Sequence, residues 1–337
     1  MQSQQTTALS PGALIAGRYR VERLLGTGGM GRVFAARHIE LDELVAIKVV
    51  LPQLEAGTTY VNRLLREGRN AVKIRSEHVA RILDVGRNGE GGTPFVVMEY
   101  LDGQDLAQVL RARGPLPVGD ACEHLLQACE AVASAHALGI VHRDLKPANL
   151  FLTRRADGSP CIKVLDFGIC KVLSQAGMAL TGNSALLGSP NYVSPEQIVA
   201  SSQVDGAADV WSLGVLLFRL LTNRLPFEGS GSFDVMGKIL RAAPIPLRAV
   251  DASLPIDLER TILRCLEKDR ALRLGLAELA FAMAEHAPPQ SRLLAERIAR
   301  LLPPKGGAEA LVATRVPGHL GGDADEDELV AKVWDSL

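Results

Sequence analysis

Residues 141–168 read VHRDLKPANLFLTRRADGSPCIKVLDFG, and the reading of this stretch decides the fold. The apolar run AVASAHALGIV leads into it and Leu150, Phe151 and Leu152 follow Asn149, so a loop leaves a buried helix and enters a short strand. The turn Ala156-Asp157-Gly158-Ser159-Pro160 separates that strand from a second apolar run, Ile162 to Leu165, which ends at Asp166. Two strands joined by such a turn predict a hairpin whose ends lie together, bringing Asp144, Asn149 and Asp166 into one pocket. A carboxylate to accept a hydroxyl proton, beside an amide and a second carboxylate to hold a divalent cation, is the set of groups that phosphoryl transfer needs. Magnesium takes a few such oxygens together with phosphate oxygens in preference to an all-protein cage.

Working outward toward the N-terminus, Gly26, Gly28, Gly31 and Val33 give G-x-G-x-x-G-x-V after the strand-like run Tyr19 to Leu25. A turn without side chains lets backbone N–H groups approach phosphate oxygens. A dinucleotide fold needs a helix directly after these glycines, but Arg32 to Ala36 and Leu44 to Val50 both read as strands, and that alternative fails. Lys48 lies within VAIKVV, where an unpaired charge is expensive, so it requires an anionic partner unless it snorkels from an edge. Thr58 or Thr59 opens a predicted helix with Val61, Leu64, Leu65, Ala71 and Val72 at helical spacing, and Glu67 on it is the candidate partner. Gly68 weakens that helix by about 1 kcal/mol. His78 to Val85 and Thr93 to Tyr100 are predicted to complete a small, mostly antiparallel sheet.

On these motifs the chain resembles the protein kinase family across roughly residues 19–286, and GTGGMGRVFAARH with HRDLKPANLFL resembles its bacterial eukaryotic-like serine/threonine branch. The resemblance implies an α+β, two-lobed protein kinase fold: a small antiparallel β-sheet lobe with one helix, and a larger, mainly helical lobe. The expected divisions are a flexible leader at 1–17 and a kinase domain at 18–286, with an N-lobe at 18–98, a hinge at 99–101 and a C-lobe at 102–286. A linker, an amphipathic helix and an acidic tail are expected at 287–337.

By the same resemblance Asp144 is the catalytic base, Lys146 accompanies the transferring phosphate, and Lys48 paired with Glu67 holds nucleotide phosphates. Asn149 and Asp166 bind metal, with ATP and Mg²⁺ or Mn²⁺ as cofactors. Around the nucleotide the family places the positions matched by Gly26, Gly28, Gly31, Val33, Ala46, Met98, Glu99, Leu101 and Asp105. Met98 guards the back of the pocket, Glu99 to Leu101 form the hinge, and Asp105 meets ribose. Lys146 resembles the serine/threonine class. Arg143 is implied to meet a phosphate on the activation loop, at Thr181 or Ser184 in preference to Ser189, which matches a substrate-facing hydroxyl. Glu196 is implied to pair with Arg273, and Asp209 to steady the catalytic-loop backbone. Val193-Ser194 before Pro195-Glu196 departs from the family's usual wording, as does Arg270 where proline is usual.

A chain of 337 residues, 47% hydrophobic and 22% charged, can bury a sizeable core, and its formal net charge of -1 gives no broad basic field for nucleic acid. The start, MQSQQTTALSPG, does not resemble a secretory signal, and Val210 to Leu221 is interrupted by Ser212, Gly214 and Arg219, so no membrane span is expected. Cys122, Cys129, Cys161, Cys170 and Cys265 form no CxxC pair and fit free thiols in the cytoplasm. Ser291 to Leu302 predicts an amphipathic helix with Leu293, Leu294, Ile298, Leu301 and Leu302 on its apolar face. Beyond it lies a Gly-rich, acidic tail, read as solvated or as a docking peptide built on Leu329, Val333 and Trp334 for a partner protein. Three functions compete: a kinase acting on protein hydroxyls, a nucleotide-binding pseudokinase acting as a scaffold, and a small-molecule phosphotransferase. The long segment between Asp166 and Pro195-Glu196 weighs against the third.

Overall fold

Alternation of apolar and polar residues gives a strand two unlike faces, and in the small lobe those faces become a core and a site. The computed structural model describes residues 9–28, 31–50, 71–89, 92–167, 190–199 and 204–302. Its first sheet contains β1 (Leu14–Ile15), β2 (Tyr19–Gly28), β3 (Gly31–His38), β4 (Leu44–Val50), β5 (Ile82–Arg87) and β6 (Pro94–Glu99). The strands lie in the order β1-β2-β3-β4-β6-β5 with antiparallel neighbours. Phe34, Ile47 and Val97 stand opposite one another across β3, β4 and β6. Together with Ile15, Tyr19, Val21 and Phe95 they form the small lobe's core. Successive side chains point to opposite faces, so Val33, Ala46, Lys48 and Met98 share the other one.

Of the leader expected at 1–17, residues 1–8 lie outside the described residues, while the strand Leu14–Ile15 is part of the sheet. Leu14 and Ile15 pair with Arg20 and Tyr19, and Ile15 has no exposed surface. The run Ala13 to Ala16 is apolar, so it closes the open end of the small core, and the Ala16 N–H donates to Asn88 Oδ1 at 2.9 Å. The strand expected over 78–85 also starts later, at Ile82. Residues 78–80 pair instead with the large lobe: the Val164 N–H donates to the His78 carbonyl (2.7 Å) and the Ala80 N–H to that of Val164 (3.0 Å). Most of the helix predicted from Thr58 lies outside the described residues.

The large lobe begins with a second sheet, β7 (Gln104–Asp105), β8 (Leu150–Arg154) and β9 (Pro160–Val164), in that order. Nine helices are described: α1 (Leu106–Arg113), α2 (Val118–His136), α3 (Pro195–Val199), α4 (Ala207–Thr222), α5 (Ser232–Arg241), α6 (Leu247–Val250), α7 (Ile256–Cys265), α8 (Leu276–Ala284) and α9 (Ser291–Leu301). α4 is apolar nearly all round and α2 is buried along most of its length, as helices at the centre of a lobe must be. Gly214, in the middle of α4, is required by packing: a Cβ there would come within 2.5 Å of the Cys265 Cβ on α7. Trp211 of α4 stacks on Phe227 at 5.7 Å with its ring nearly parallel.

The helix expected beyond residue 286 is α9, and it belongs to the lobe. Ala295 and Ile298 are wholly buried in the same core as α2 and α8, while Leu293 is exposed. This helix, beyond the expected boundary at 286, packs on the large lobe, and its buried stripe runs through Ala295, not Leu293. Burying Ile298 alone contributes about 2 kcal/mol. Among the described residues no helix is long and apolar enough to cross a membrane.

Candidate active site

The hairpin β8–β9 places two oxygen-bearing side chains by register. Leu150 pairs with Val164 at its open end, so Asn149 immediately precedes the ladder and Asp166 follows it closely. The Leu165 N–H donates to the Asn149 carbonyl at 2.9 Å, tying the two approaches together. Asn149 ends the 3₁₀ turn Pro147–Asn149, from which its amide nitrogen donates to the Asp144 carbonyl (2.7 Å) and to Asp144 Oδ2 (3.1 Å). Lys146 Nζ meets the same Oδ2 at 2.7 Å. Asp144, Lys146 and Asn149 thus form one hydrogen-bonded cluster.

Asp166 reaches across to the other lobe, where Lys48 Nζ donates to its Oδ2 at 2.7 Å. Lys48 is 8% exposed, so the charge embedded in β4 does have an anion beside it. Glu67, the partner expected from sequence, lies outside the described residues. Burial pushes the Asp166 carboxyl up, but the Lys48 ammonium outweighs it and holds the group below the usual carboxylate range.

The loop before Asp144 is fastened at several points. Asp209 on α4 is fully buried and accepts from the N–H groups of His142 (2.9 Å) and Arg143 (2.8 Å), with His136 Nε2 a further 2.8 Å contact. Its carboxyl is pushed up by burial and drawn down further by these bonds, chiefly that from His136. His142 Nε2 contacts the Leu165 carbonyl at 2.8 Å, and its Nδ1 accepts from the Asp144 N–H at 3.3 Å; both partners require the Nε2–H tautomer. The His142 ring meets Phe167 edge-on at 4.7 Å. Arg143 and Asp166 both have positive φ, 67° and 61°. Such backbone costs about 1 kcal/mol or more per residue and persists where surrounding bonds enforce it.

Above this cluster Val33, Ala46 and Met98 share a face with Lys48, and Gly26 and Val33 are cross-strand partners, as are Gly28 and Gly31. A Cβ built on Gly26 or Gly28 would meet no atom within 4 Å, and neither residue has a positive φ. Among the described residues, nothing in the packing demands glycine at these positions. The open space suits a ligand that approaches the backbone closely, which is how phosphate groups sit on such turns. At the lobe junction the Glu99 carboxylate receives the Arg81 N–H (2.8 Å) and Lys163 Nζ (3.0 Å), and its own N–H donates to the Arg81 carbonyl. Leu101 follows in irregular chain, half-buried. Asp105 caps α1, its Oδ1 accepting from the Gln108 N–H at 2.8 Å in a capping box.

Glu196 and Arg273 meet as the resemblance implies, at 2.6 and 3.0 Å. The Arg143 guanidinium donates to the Val204 carbonyl at 2.9 Å; Thr181, Ser184, Ser189 and Cys170 lie outside the described residues. Two participants escaped the sequence reading. His136, at the end of α2, belongs to no motif, yet its Nε2 meets Asp209 beneath the loop at 2.8 Å. Gln197, on the short helix after Pro195-Glu196, likewise belongs to no motif and donates from Nε2 to the Arg143 carbonyl at 2.8 Å. Among the described residues no group of three or more His, Cys, Asp or Glu side chains could cage a metal ion. A cation here would rest on Asp166, the Asn149 amide oxygen and oxygens supplied by its ligand.

An antiparallel sheet lobe joined to a helical lobe, with a buried lysine of one bonded to a carboxylate of the other, defines the protein kinase fold. The chain belongs to the protein kinase domain family, whose model matches residues 19–284. It is 40% identical over 271 residues to the serine/threonine-protein kinase pkn3 of Myxococcus xanthus, covering 79% of this chain and 49% of that one. To PknB of Mycobacterium tuberculosis it is 35% identical over 257 residues, 76% of this chain and 40% of the relative. The chain thus spans about half or less of the length of these curated relatives. Among solved structures, the PknI kinase domain of Mycobacterium tuberculosis superposes with a TM-score of 0.66 at 31% identity, covering 83% of this chain and 100% of that chain.

Proposed function

We propose that this chain is a serine/threonine protein kinase that moves the γ-phosphoryl group of ATP to a protein hydroxyl. The observation that carries the reading is the 2.7 Å bond from Lys48 to Asp166, set beside the Asp144, Lys146 and Asn149 cluster. The small-lobe face of Gly26, Gly28, Gly31, Val33, Ala46 and Met98 receives the nucleotide. Glu99 and Leu101 meet the base through backbone groups, and Asp105, while capping α1, lies where ribose is expected. Glu67 is assigned to Lys48 from sequence alone.

In the reaction Asp144 orients the acceptor hydroxyl and takes its proton as the oxygen bonds to the γ-phosphorus and the bond to the β–γ bridging oxygen breaks, releasing ADP. Lys146, bonded to Asp144, offers its ammonium to the transferring group. Lys48 neutralises the phosphates that remain. Asp166 and the Asn149 amide oxygen hold a divalent cation, magnesium or manganese, which when bound offsets charge on the phosphate oxygens. Both carboxylates needed on the cation side and beneath the loop are held in their ionised forms by their surroundings.

Regulation through a phosphate at Thr181 or Ser184, with Arg143 as its dock, and a partner for the tail belong to the same reading. Protein substrates are the partners, and the compartment is the cytoplasm, supported by the free, buried Cys122, Cys129, Cys161 and Cys265. The scaffold alternative is disfavoured because Lys48, Asp144, Asn149 and Asp166 are all present, with Lys48 bonded to Asp166 and Asn149 to Asp144. The test is labelled ATP with a generic basic protein: the chain labels it, and Asp144→Asn reduces labelling by 100-fold or more, about 3 kcal/mol of barrier. Equal labelling by both would remove the mechanism.

A further inference from the structure

The peptide unit joining Arg143 to Asp144 carries the reactive carboxylate, and its carbonyl is held from outside the loop. Gln197 on α3 donates from Nε2 to the Arg143 carbonyl at 2.8 Å. The other end of the same amide is fixed as well: Gln197 Oε1 accepts from the Ser194 N–H and from the Ser194 hydroxyl, each at 3.1 Å. Ser194 is fully buried and precedes Pro195, so the acceptor side of the amide cannot drift. The amide therefore has one orientation, oxygen to Ser194 and nitrogen to Arg143.

The consequence follows from what the remaining groups of that backbone do. The Arg143 N–H is taken by Asp209 and the Asp144 N–H by His142 Nδ1, so Gln197 supplies the third restraint on two consecutive peptide planes. Arg143 sits at a φ of 67°, which an ordinary residue leaves when a restraint is lifted. We propose that Gln197 is a positioning residue for Asp144: with Ser194 it clamps the Arg143–Asp144 peptide and so aims the carboxylate at the acceptor hydroxyl. The clamp also joins the catalytic loop to the segment 190–199, which follows the activation loop in sequence, so a shift of that segment would be felt at the base. The inference rests on the kinase reading above and adds to it a residue that never touches substrate.

The test uses the full chain, steady-state labelling and nucleotide affinity by titration. Gln197→Ala lowers kcat about 10- to 100-fold, the range for small misplacement of a reacting group, and leaves ATP affinity within twofold. Gln197→Glu supplies the readout that a merely structural residue would not move. Protonated, the new side chain still donates to the Arg143 carbonyl and accepts from Ser194; ionised, it has no proton to donate and faces a carbonyl oxygen. The ratio of Gln197→Glu to wild-type kcat therefore rises as pH falls from about 7 to about 5, on the approach to the ordinary glutamate range near about 4.3. A ratio that stays flat over this range, or a Gln197→Ala kcat within twofold of wild type, overturns the assignment. Wild-type protein that labels no substrate would instead refute the kinase reading.

Discussion

Arg297 Nη2 lies 3.1 Å from Oε1 of Glu130, a carboxylate with no exposed surface, so the helix that follows the family's matched span is bonded to the centre of the large lobe. Glu130 also receives hydroxyls from Ser134 on its own helix and from Ser76 on the segment that passes between the lobes. Arg297→Ala leaves the buried carboxylate without its cation. The expected loss is about 2 kcal/mol, less than for a fully buried pair because Arg297 is half exposed. Urea unfolding of the two proteins checks it, and a chain ending at residue 286, which removes Ile298 as well, should be less stable again.

The pair Glu196–Arg273 gives an acid dependence whose sign is fixed. Burial pushes the Glu196 carboxyl up, but hydrogen bonds from Arg273 hold it below the usual range. The unfolded chain therefore binds the proton first, at about pH 4.3. The stabilisation is fully present above that value and is lost as pH falls through the lower, folded one. Glu196→Gln, which strands a guanidinium whose side chain is fully buried, should cost about 3 kcal/mol at neutral pH and flatten the stability profile below about pH 5. Chemical denaturation at several pH values would show whether the wild-type slope disappears in the variant.

Glycines at the hairpin and in α4 should respond oppositely to the same change. Gly28→Ala meets no protein atom, so the midpoint of unfolding should stay within about 0.5 kcal/mol while ATP affinity drops several-fold. Gly214→Ala drives a methyl against Cys265 and should destabilise by about 1–3 kcal/mol, with nucleotide affinity of the folded protein unchanged. A Gly28→Ala protein that binds ATP as well as wild type would argue that phosphates lie elsewhere.

Asp209→Asn keeps size but replaces one acceptor oxygen with an amine that faces donors. With the amide oxygen toward Arg143, the nitrogen opposes the His142 N–H. Expected is a fall in kcat of about 100-fold with ATP affinity nearly intact, since Lys48 and the glycine turn are remote from α4. Comparable losses in kcat and affinity would mean that the loop and the nucleotide face are not separable.

Much of this was readable because local rules and tertiary demands agree. The hairpin turn at 156–160 and the lysine inside an apolar strand each have one economical explanation, and the structure supplies both the ladder and the anion. What could not be read depended on contacts distant in sequence. Ile15 looks like part of a polar leader until the open end of the small core is seen to need covering. Residues 78–80 look like strand because they are apolar, yet their backbone bonds to Val164 across the lobes. Leu293 and Ala295 exchange roles because the axis of α9 is set by α2 and α8, which the periodicity of one helix cannot report. Gln197 was invisible for the same reason: its meaning lies in a carbonyl more than fifty positions away.

The ladder of β8 and β9 makes the spacing of Asn149 and Asp166 a matter of integer steps. Extra residues between Arg155 and Ser159 would enlarge a surface turn and leave both side chains where they stand. A slip of even one rung would carry one of them several ångströms from the other and reverse which strand face looks inward. Homologous chains are thus free to lengthen that turn, whereas a single insertion within either strand should abolish turnover and destabilise the lobe, because it turns buried residues such as Leu150 or Ile162 out of the core.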